Sequence, residues 1–302
     1  MMLNDLITVY IPNHNYENYL DKAIKSVLNQ TYKNLELIII DDGSSDNSKT
    51  IIQNYSNNKK IKIIFQKNKG LNISNNIALK LSKGKYILRL DADDWLDPNC
   101  IEILYNTISK DKNIGFVFSD YYLVDIKDNI IKQVRRHDFR KVKLLDQPAH
   151  GACSLIKTNL LLEYGGYSEK FNCQDGFDLW LKFIGRKKIL NVNLPLFYYR
   201  QHPNSLSSNE KRILYTRSKI FSKYSKGINK QLNVAAVIPI RGEAIDKYSV
   251  VFKKLNKKYV LDYTIDTALN AKSLKKILIT TSDNNILKYV QKQYKNYKKI
   301  YV

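Results

Sequence analysis

The 302-residue sequence predicts an α/β protein in which a Rossmann-like sheet carries helices on both faces. Three observations predict it. Short β-rich apolar runs alternate with segments of helical period. Two of those runs end in acidic pairs. A fresh strand-to-loop pattern opens near residue 234, which predicts a second, smaller α/β unit.

Each element follows from local pattern. "LITVYIP" (6–12) is a compact β-rich run ended by Pro12. "ENYLDKAIKSVLNQ" (17–30) places Leu20, Ala23, Ile24, Val27 and Leu28 at helical spacing. "LELIIIDD" (35–42) is a second buried strand, and "GSSDNSKTIIQNY" opens with turn and cap residues before a helix. "KIKIIFQ" (60–66) is a third strand, "LNISNNIALKLSKG" (71–84) a helix closed by Gly84, and "KYILRLDADD" (85–94) a fourth strand. This βαβαβαβ alternation implies parallel strands, and ligands of such sheets sit beyond the carboxyl ends. "NIGFVFSDYYLVD" (113–125) predicts another strand, "DLWLKFIG" (178–185) a short helix, and "KILNVNLPLFYYRQH" (188–202) a strand, turn and strand. A basic helical stretch runs from about 209 to 231.

Composition sets bounds. Fifty Lys plus Arg against 28 Asp plus Glu give a formal charge of +22, and 44% hydrophobic content argues against disorder. The positive excess is spread along the chain. It reads as solvated surface, or as attraction to phosphorylated substrates or an anionic membrane face. No run approaches a membrane span, and the start lacks the pattern of a signal peptide. Cys100, Cys153 and Cys173 lack metal-site spacing and read as reduced thiols of a cytoplasmic protein, at most peripheral to the inner face of the membrane. Basic-aromatic interleaving is missing, so no specific nucleic-acid partner is expected.

Against this basic background "YILRLDADDWLDP" (86–98) concentrates Asp91, Asp93, Asp94 and Asp97. Packed carboxylates repel unless something positive sits among them. Alternate residues of an extended segment point the same way, so Asp91 and Asp93 could share a hard Mg²⁺ or Mn²⁺ ion that bridges a diphosphate. Asp94 is read either with them or as the cap of the following turn.

Four stretches in order, "ITVYIPNHNYENYLDKAIKSVLNQTYKNLELIIIDDGSSDNS", "GKYILRLDADDWLDP", "CQDGFDLWLKF" and "YYRQHPNSLS", resemble the family 2 inverting glycosyltransferases of GT-A type, over residues 5 to 208. The resemblance implies a GT-A domain over 1–208 that moves a sugar from a nucleotide-diphosphate donor with a divalent metal, Mn²⁺ or Mg²⁺. It implies that Pro12, Asn13 and Asn15 lie against the donor nucleotide. Asp42 would hydrogen-bond the base, with Asp41 partly structural. Asp91 would contact nucleoside or metal, and Asp93 would be the main metal ligand. The family's base is the Asp of a Glu-Asp pair; here the pair is Gln174-Asp175, so Asp175 is the expected base, with a helix cap as its alternative role. Arg200 would neutralise leaving-group charge, and His202 would ligate metal or bind phosphate. Trp180 would line the acceptor site or pack. Ser74-Asn75-Asn76 stand where relatives often carry Ala-Arg-Asn, which removes a cation from the donor-base side; Lys69 is a candidate replacement.

After a helical linker over 209–232, residues 233–302 are similar to the start of CMP-sugar synthetases, through Pro239-Ile240-Arg241-Gly242, "KKYVLDYTIDTAL" and "ILITTSDNNI". Glu243-Ala244-Ile245-Asp246 replace the Gly-Ser-Lys-Gly that would hold phosphates. The sequence also stops at Val302, before the carboxylates that would bind catalytic Mg²⁺. No cytidylyltransferase activity is expected; the unit reads as a shortened chain, a genetic remnant or a packing domain.

The leading expectation is a metal-dependent inverting glycosyltransferase acting on a glycan or lipid-linked acceptor of a surface polysaccharide such as capsule or lipopolysaccharide. The alternative is a non-catalytic sugar-nucleotide-binding or assembly subunit. The loops between 120 and 175, including His150, carry no readable acceptor code.

Overall fold

The computed structural model describes residues 5–136, 151–171, 173–202, 210–225, 234–243, 245–272 and 274–302. His150 and residues 203–207 of the "YYRQHPNSLS" stretch lie outside them. The chain divides into two compact units, Met1–Phe221 and Ser222–Val302.

In the first unit, β1 (Ile7–Asn13), β2 (Leu35–Asp42), β3 (Ile61–Gln66) and β4 (Tyr86–Arg89) pair in parallel, in the order β3-β2-β1-β4. The crossovers are α1 (Glu17–Leu28), α2 (Ser48–Gln53) and α3 (Leu71–Leu81). β5 is the short Trp95–Leu96, followed by α4 (Cys100–Ile108). Beyond β4 the sheet turns mixed: β8 (Ser154–Lys157) runs antiparallel to both β4 and β6 (Ile114–Val124). β9 (Lys188–Arg200) then runs parallel to β6, and β5 closes against it. β7 (Ile130–Val134) hangs from β6 as a hairpin.

The central strands alternate between two apolar layers, as a sheet covered on both faces requires. Ile7, Val9, Ile11, Leu37 and Ile39 pack with Leu20, Ile24 and Val27 of α1 and with Ile101 and Leu104 of α4. Tyr10, Ile38, Ile40 and Ile87 pack with Ala78 and Leu79 of α3. The same layer takes Leu160 and Leu161 of α5 (Thr158–Glu163), and Leu179 and Phe183 of α6 (Asp175–Phe183).

Three sequence expectations change. The fourth strand stops at Arg89 instead of reaching Asp94. Its ladder with β1 ends at Tyr10↔Arg89, and the chain then turns, with Asp94 N–H bonding Asp91 C=O at 3.1 Å. Asp91 and Asp93 therefore sit in a turn rather than on one face of a strand. Residues 188–200 form one continuous strand instead of two, because register shifts against β6 absorb the segment around Pro195. The basic helix is α7, Glu210–Ser225.

The second unit has a three-stranded parallel sheet, ordered β10-β13-β14, built from β10 (Val234–Pro239), β13 (Leu274–Thr280) and β14 (Ile300–Tyr301). A hairpin of β11 (Lys254–Leu255) and β12 (Lys258–Tyr259) precedes α8 (Val260–Asn270), and α9 (Asn284–Gln293) follows β13. Leu261, Ile265, Ile286 and Val290 of the helices bury Ile277 and Ile279 of the sheet. Across the other face, Val237, Leu278 and Tyr301 occupy adjacent register positions and stay exposed.

Candidate active site

The strand order places a topological switch at β1, whose neighbours are β2 on one side and β4 on the other, and open α/β sheets bind ligands at such a point. The sequence-predicted residues gather there. Asn13 ends β1; its amide donates to Asp41 Oδ1 (3.0 Å) and Ser44 Oγ (3.1 Å). Asp41 is fully buried and also accepts Ser44 N–H, so it joins the ends of the two strands. Asn15 adopts φ +60°, the left-handed region that Asn tolerates, and its Oδ1 accepts Ser45 N–H at 2.7 Å.

Asp42 ties down the loop before α3. Its Oδ1 accepts Gln66 Nε2 (2.7 Å) and Lys69 N–H (2.8 Å), and its Oδ2 accepts Gly70 N–H (2.7 Å). Together with Pro12, Asn13, Tyr16, Lys69 and Phe171 it lines a cavity of about 330 Å³. Lys69 reaches this cavity, whereas Asn75 is buried beside Asn72 and Asn76 binds the backbone of Tyr167.

The acidic turn divides its carboxylates among different partners and still leaves repulsion among them. Asp93 Oδ2 lies 2.9 Å from His202 Nε2. The imidazole packs between Tyr16 (5.9 Å, edge-on) and Tyr19 (6.0 Å, stacked). Asp94 is buried and its Oδ1 accepts Arg200 N–H at 2.9 Å; burial and then the charges of Asp93 and Asp91 push its carboxyl well up. It does not cap the following turn, where Asp97 Oδ1 accepts Asn99 N–H instead. Tyr16 bridges cavity and turn, and its phenol is raised by burial and by Asp93, Asp91 and Asp94.

Arg200 sits beneath this turn, 2% exposed. Its guanidinium donates to Asp93 C=O (2.9 Å) and Asp125 C=O (3.0 Å) and pairs with Asp128 (2.6 Å). It also stacks under Tyr19 at 4.3 Å.

Asp91 turns the other way, to Arg89. Arg89 Nε lies 2.9 Å from Asp91 Oδ1, and Arg89 Nη1 donates to Asp175 Oδ2 at 2.5 Å. The guanidinium is 5% exposed and held strongly cationic by Asp175 and Asp91. Asp91 is pushed up to about 6, first by burial and then, against the pull of Arg89, by Asp93.

Asp175 opens α6 and makes no side-chain cap; its carboxylate goes to Arg89. Gln174 before it is held at φ +60°, a strained conformation for a non-glycine residue, and its Oε1 accepts Arg217 Nε at 2.7 Å. Gly151 packs against the same carboxylate, where a Cβ would overlap Asp175 Oδ2. Trp180 and Asp178 are buried in α6 and pack.

Asp93 offers an oxygen that suits Mn²⁺ or Mg²⁺, and the imidazole of His202 tips the pair toward Mn²⁺, the softer of the two. Among the described residues no group of three His, Cys, Asp or Glu side chains is arranged to hold a metal ion. A cation here would take its remaining ligands from substrate oxygens and water.

Sequence reasoning missed Arg89, Tyr16, Tyr19 and Gly151. Arg89 was in view inside the quoted "YILRLDADD", two residues from Asp91, but its second partner is 86 positions away. The three cysteines are free and buried, and Cys100 and Cys153 Sγ lie 3.5 Å apart.

Comparison with known proteins fits this geometry. The family model described as Glycosyl transferase family 2 matches residues 8–164. An uncharacterized glycosyltransferase of Rickettsia typhi is 30% identical over 281 residues, covering 89% of this chain and 86% of its own length. Chondroitin synthase of Escherichia coli is 38% identical over 127 residues, 42% of this chain but only 18% of that enzyme. Among solved structures, the mannosyltransferase PcManGT of Pyrobaculum calidifontis, in complex with GDP-Man and Mn²⁺, superposes with a TM-score of 0.59 at 13% identity. That match covers 74% of this chain and 65% of the other. The fold is of GT-A type, and the chain is a glycosyltransferase belonging to glycosyl transferase family 2.

Proposed function

We propose that the chain transfers a sugar, with inversion, from a nucleotide-diphosphate donor to a hydroxyl of a glycan or lipid-linked acceptor in cell-surface polysaccharide synthesis. The observation that carries this reading is the convergence on one guanidinium of Asp91, from the acidic turn, and Asp175, from α6. It puts a donor-side carboxylate and a candidate base in one place, beside a nucleotide-sized cavity.

The nucleoside would enter the cavity against Pro12, Asn13 and Asp42, whose carboxylate shapes the wall through Lys69 and Gly70, while Asn15, which does not line the cavity, holds the neighbouring loop at Ser45. The diphosphate would then pass Tyr16 toward Asp93 and His202. A divalent ion held by Asp93 and His202, with Asp91 nearby, would neutralise the leaving diphosphate. Arg200 would act through the loop that carries Asp93, since its guanidinium already holds that residue's carbonyl. Asp175 would take the proton from the acceptor hydroxyl as its oxygen bonds the anomeric carbon and the bond to diphosphate breaks. The Mn²⁺ bound in the mannosyltransferase and the polysaccharide product named for the chondroitin synthase agree with this reading.

The +22 charge suits peripheral contact with the anionic cytoplasmic face of a membrane, where a lipid-linked acceptor would sit. No helix among the described residues is long and apolar enough to cross one. We read the second unit as cytidylyltransferase-like in sequence and without that activity, because Glu243 and Asp246 follow β10 where phosphates would need cations.

The test is turnover of a panel of UDP-, GDP-, dTDP- and CMP-sugars with and without Mn²⁺. One diphosphate donor is expected to react, only with metal, and Asp93→Ala is expected to abolish it. Nucleotide binding without turnover by the native protein would favour a non-catalytic subunit.

A further inference from the structure

We propose that Arg89 is a positioning residue that couples the two sides of the site, seating the base while moderating the cation site. The inference rests on the assignment of Asp175 as base and of Asp91 and Asp93 to the donor side.

The geometry is specific. One planar guanidinium meets two carboxylates through different nitrogens: Nη1 donates to Asp175 Oδ2, and Nε lies 2.9 Å from Asp91 Oδ1 as an ion pair that is not aligned as a hydrogen bond. A lysine ammonium is a single point on a flexible stem and cannot reproduce that fork. Arg89 is rigidly delivered: its backbone ends the β1–β4 ladder, and its carbonyl accepts Cys153 N–H at 2.7 Å. Asp175 is locked from two sides, by the 2.5 Å charge-assisted bond at Oδ2 and by the bare backbone of Gly151. That fixes the direction of its other oxygen, the one free to take a proton. Gln174 is neutral and turned to Arg217, so the charge beside this base is the cation of Arg89.

The same guanidinium competes with a metal ion for Asp91. Its positive charge also opposes any cation brought to the acidic turn. Arg89 therefore weakens metal binding while it favours transfer. A residue that merely held the fold together would, on removal, weaken both.

Arg89→Gln and Arg89→Lys test this against two probes: Mn²⁺ binding in the presence of inorganic pyrophosphate, followed by electron paramagnetic resonance, and turnover of the donor panel. Circular dichroism checks folding. With the positive charge gone, Arg89→Gln is expected to bind Mn²⁺ about threefold tighter or more and to lose about 100-fold or more in transfer. Arg89→Lys is expected to keep native-like Mn²⁺ affinity and still lose about tenfold or more in transfer, because it cannot hold both partners. Unchanged or weaker Mn²⁺ binding by a folded Arg89→Gln protein overturns the coupling, and so does native transfer by either variant. If Arg89→Gln does not fold, Arg89→Lys decides: native transfer overturns the proposal. Asp175→Asn runs beside them. Full transfer by that variant removes the assignment of the base; an inactive Asp175→Asn beside a fully active Arg89→Gln removes the role of Arg89 alone.

Discussion

The two halves of the large sheet do different work. The parallel half, β3-β2-β1-β4, ends in residues that mostly bond one another: Asn13 to Asp41, Asn15 to Ser45, and Asp42 to the loop before α3. The mixed half, β8-β6-β9-β5, instead sends its residues across to the acidic turn. Arg200 and His202 come from the end of β9 and just beyond it, and the one strand end of the parallel half that joins them is β4, whose Arg89 reaches out to Asp175 of α6. The parallel half thus builds a cavity by local bonding, whereas the other half assembles the charged centre by long-range contact. A change in one half should alter shape or stability; a change in the other should alter charge balance and turnover.

Asp93→Ala tests that division most strongly. Turnover should fall about 10³-fold, as for loss of a central electrostatic contact, while thermal unfolding changes little because losing the bond to His202 is offset by relief of the repulsion that Asp93 exerts on Asp91 and Asp94. A matching collapse in stability would mean that the acidic turn is a structural element like the strand ends opposite. His202→Asn should weaken Mn²⁺ binding by at least about tenfold, since even outer-shell partners contribute that much; titration with Mn²⁺ and pyrophosphate reads it. Acid should act on the same side. Asp91 binds its proton with a pKa near 6, so proton and metal compete. Mn²⁺ affinity should drop by roughly tenfold between pH 7 and pH 5 through that carboxylate, and this part of the drop should vanish in Asp91→Asn; a pH profile unchanged in that variant would remove Asp91 as a ligand.

The parallel half supplies the contrast. Ile39→Ala, in a fully buried position of β2, should cost about 2–5 kcal/mol of stability and leave the turnover of the folded fraction unchanged, as denaturant titration and assay would show. Should it reduce turnover as strongly as Asp93→Ala does, the separation between the halves is not real.

The same contrast explains what could be read from the residues in advance. β1 and β2 were legible because buried parallel strands are continuous apolar runs, β3, an edge strand with no fully buried residue, because of its β-branched run, and α1 because its buried residues repeat at helical spacing. Asp42, Asp91, Asp93 and Asp175 could be picked out by their place after such elements and by resemblance. The hairpin strand β7, with four of its five residues exposed, and the four-residue β8 carry too little pattern to announce themselves. α4 is a short apolar helix in which Ile101, Leu104 and Ile108 repeat at helical spacing, a signal of only two turns directly after the acidic run. Asp91 and Asp93 were expected to share one ion from one strand face; the turn instead gives one to Arg89 and the other to His202. No local pattern encodes that division, because both partners are chosen by how β4, β9 and α6 pack.

The most direct measurement is transfer and binding by Asp175→Asn. This account predicts that the variant binds Mn²⁺ and nucleotide within a few-fold of native while transfer falls by about 10³-fold, the share a positioned general base supplies. Transfer at the native rate by a folded Asp175→Asn protein would contradict it.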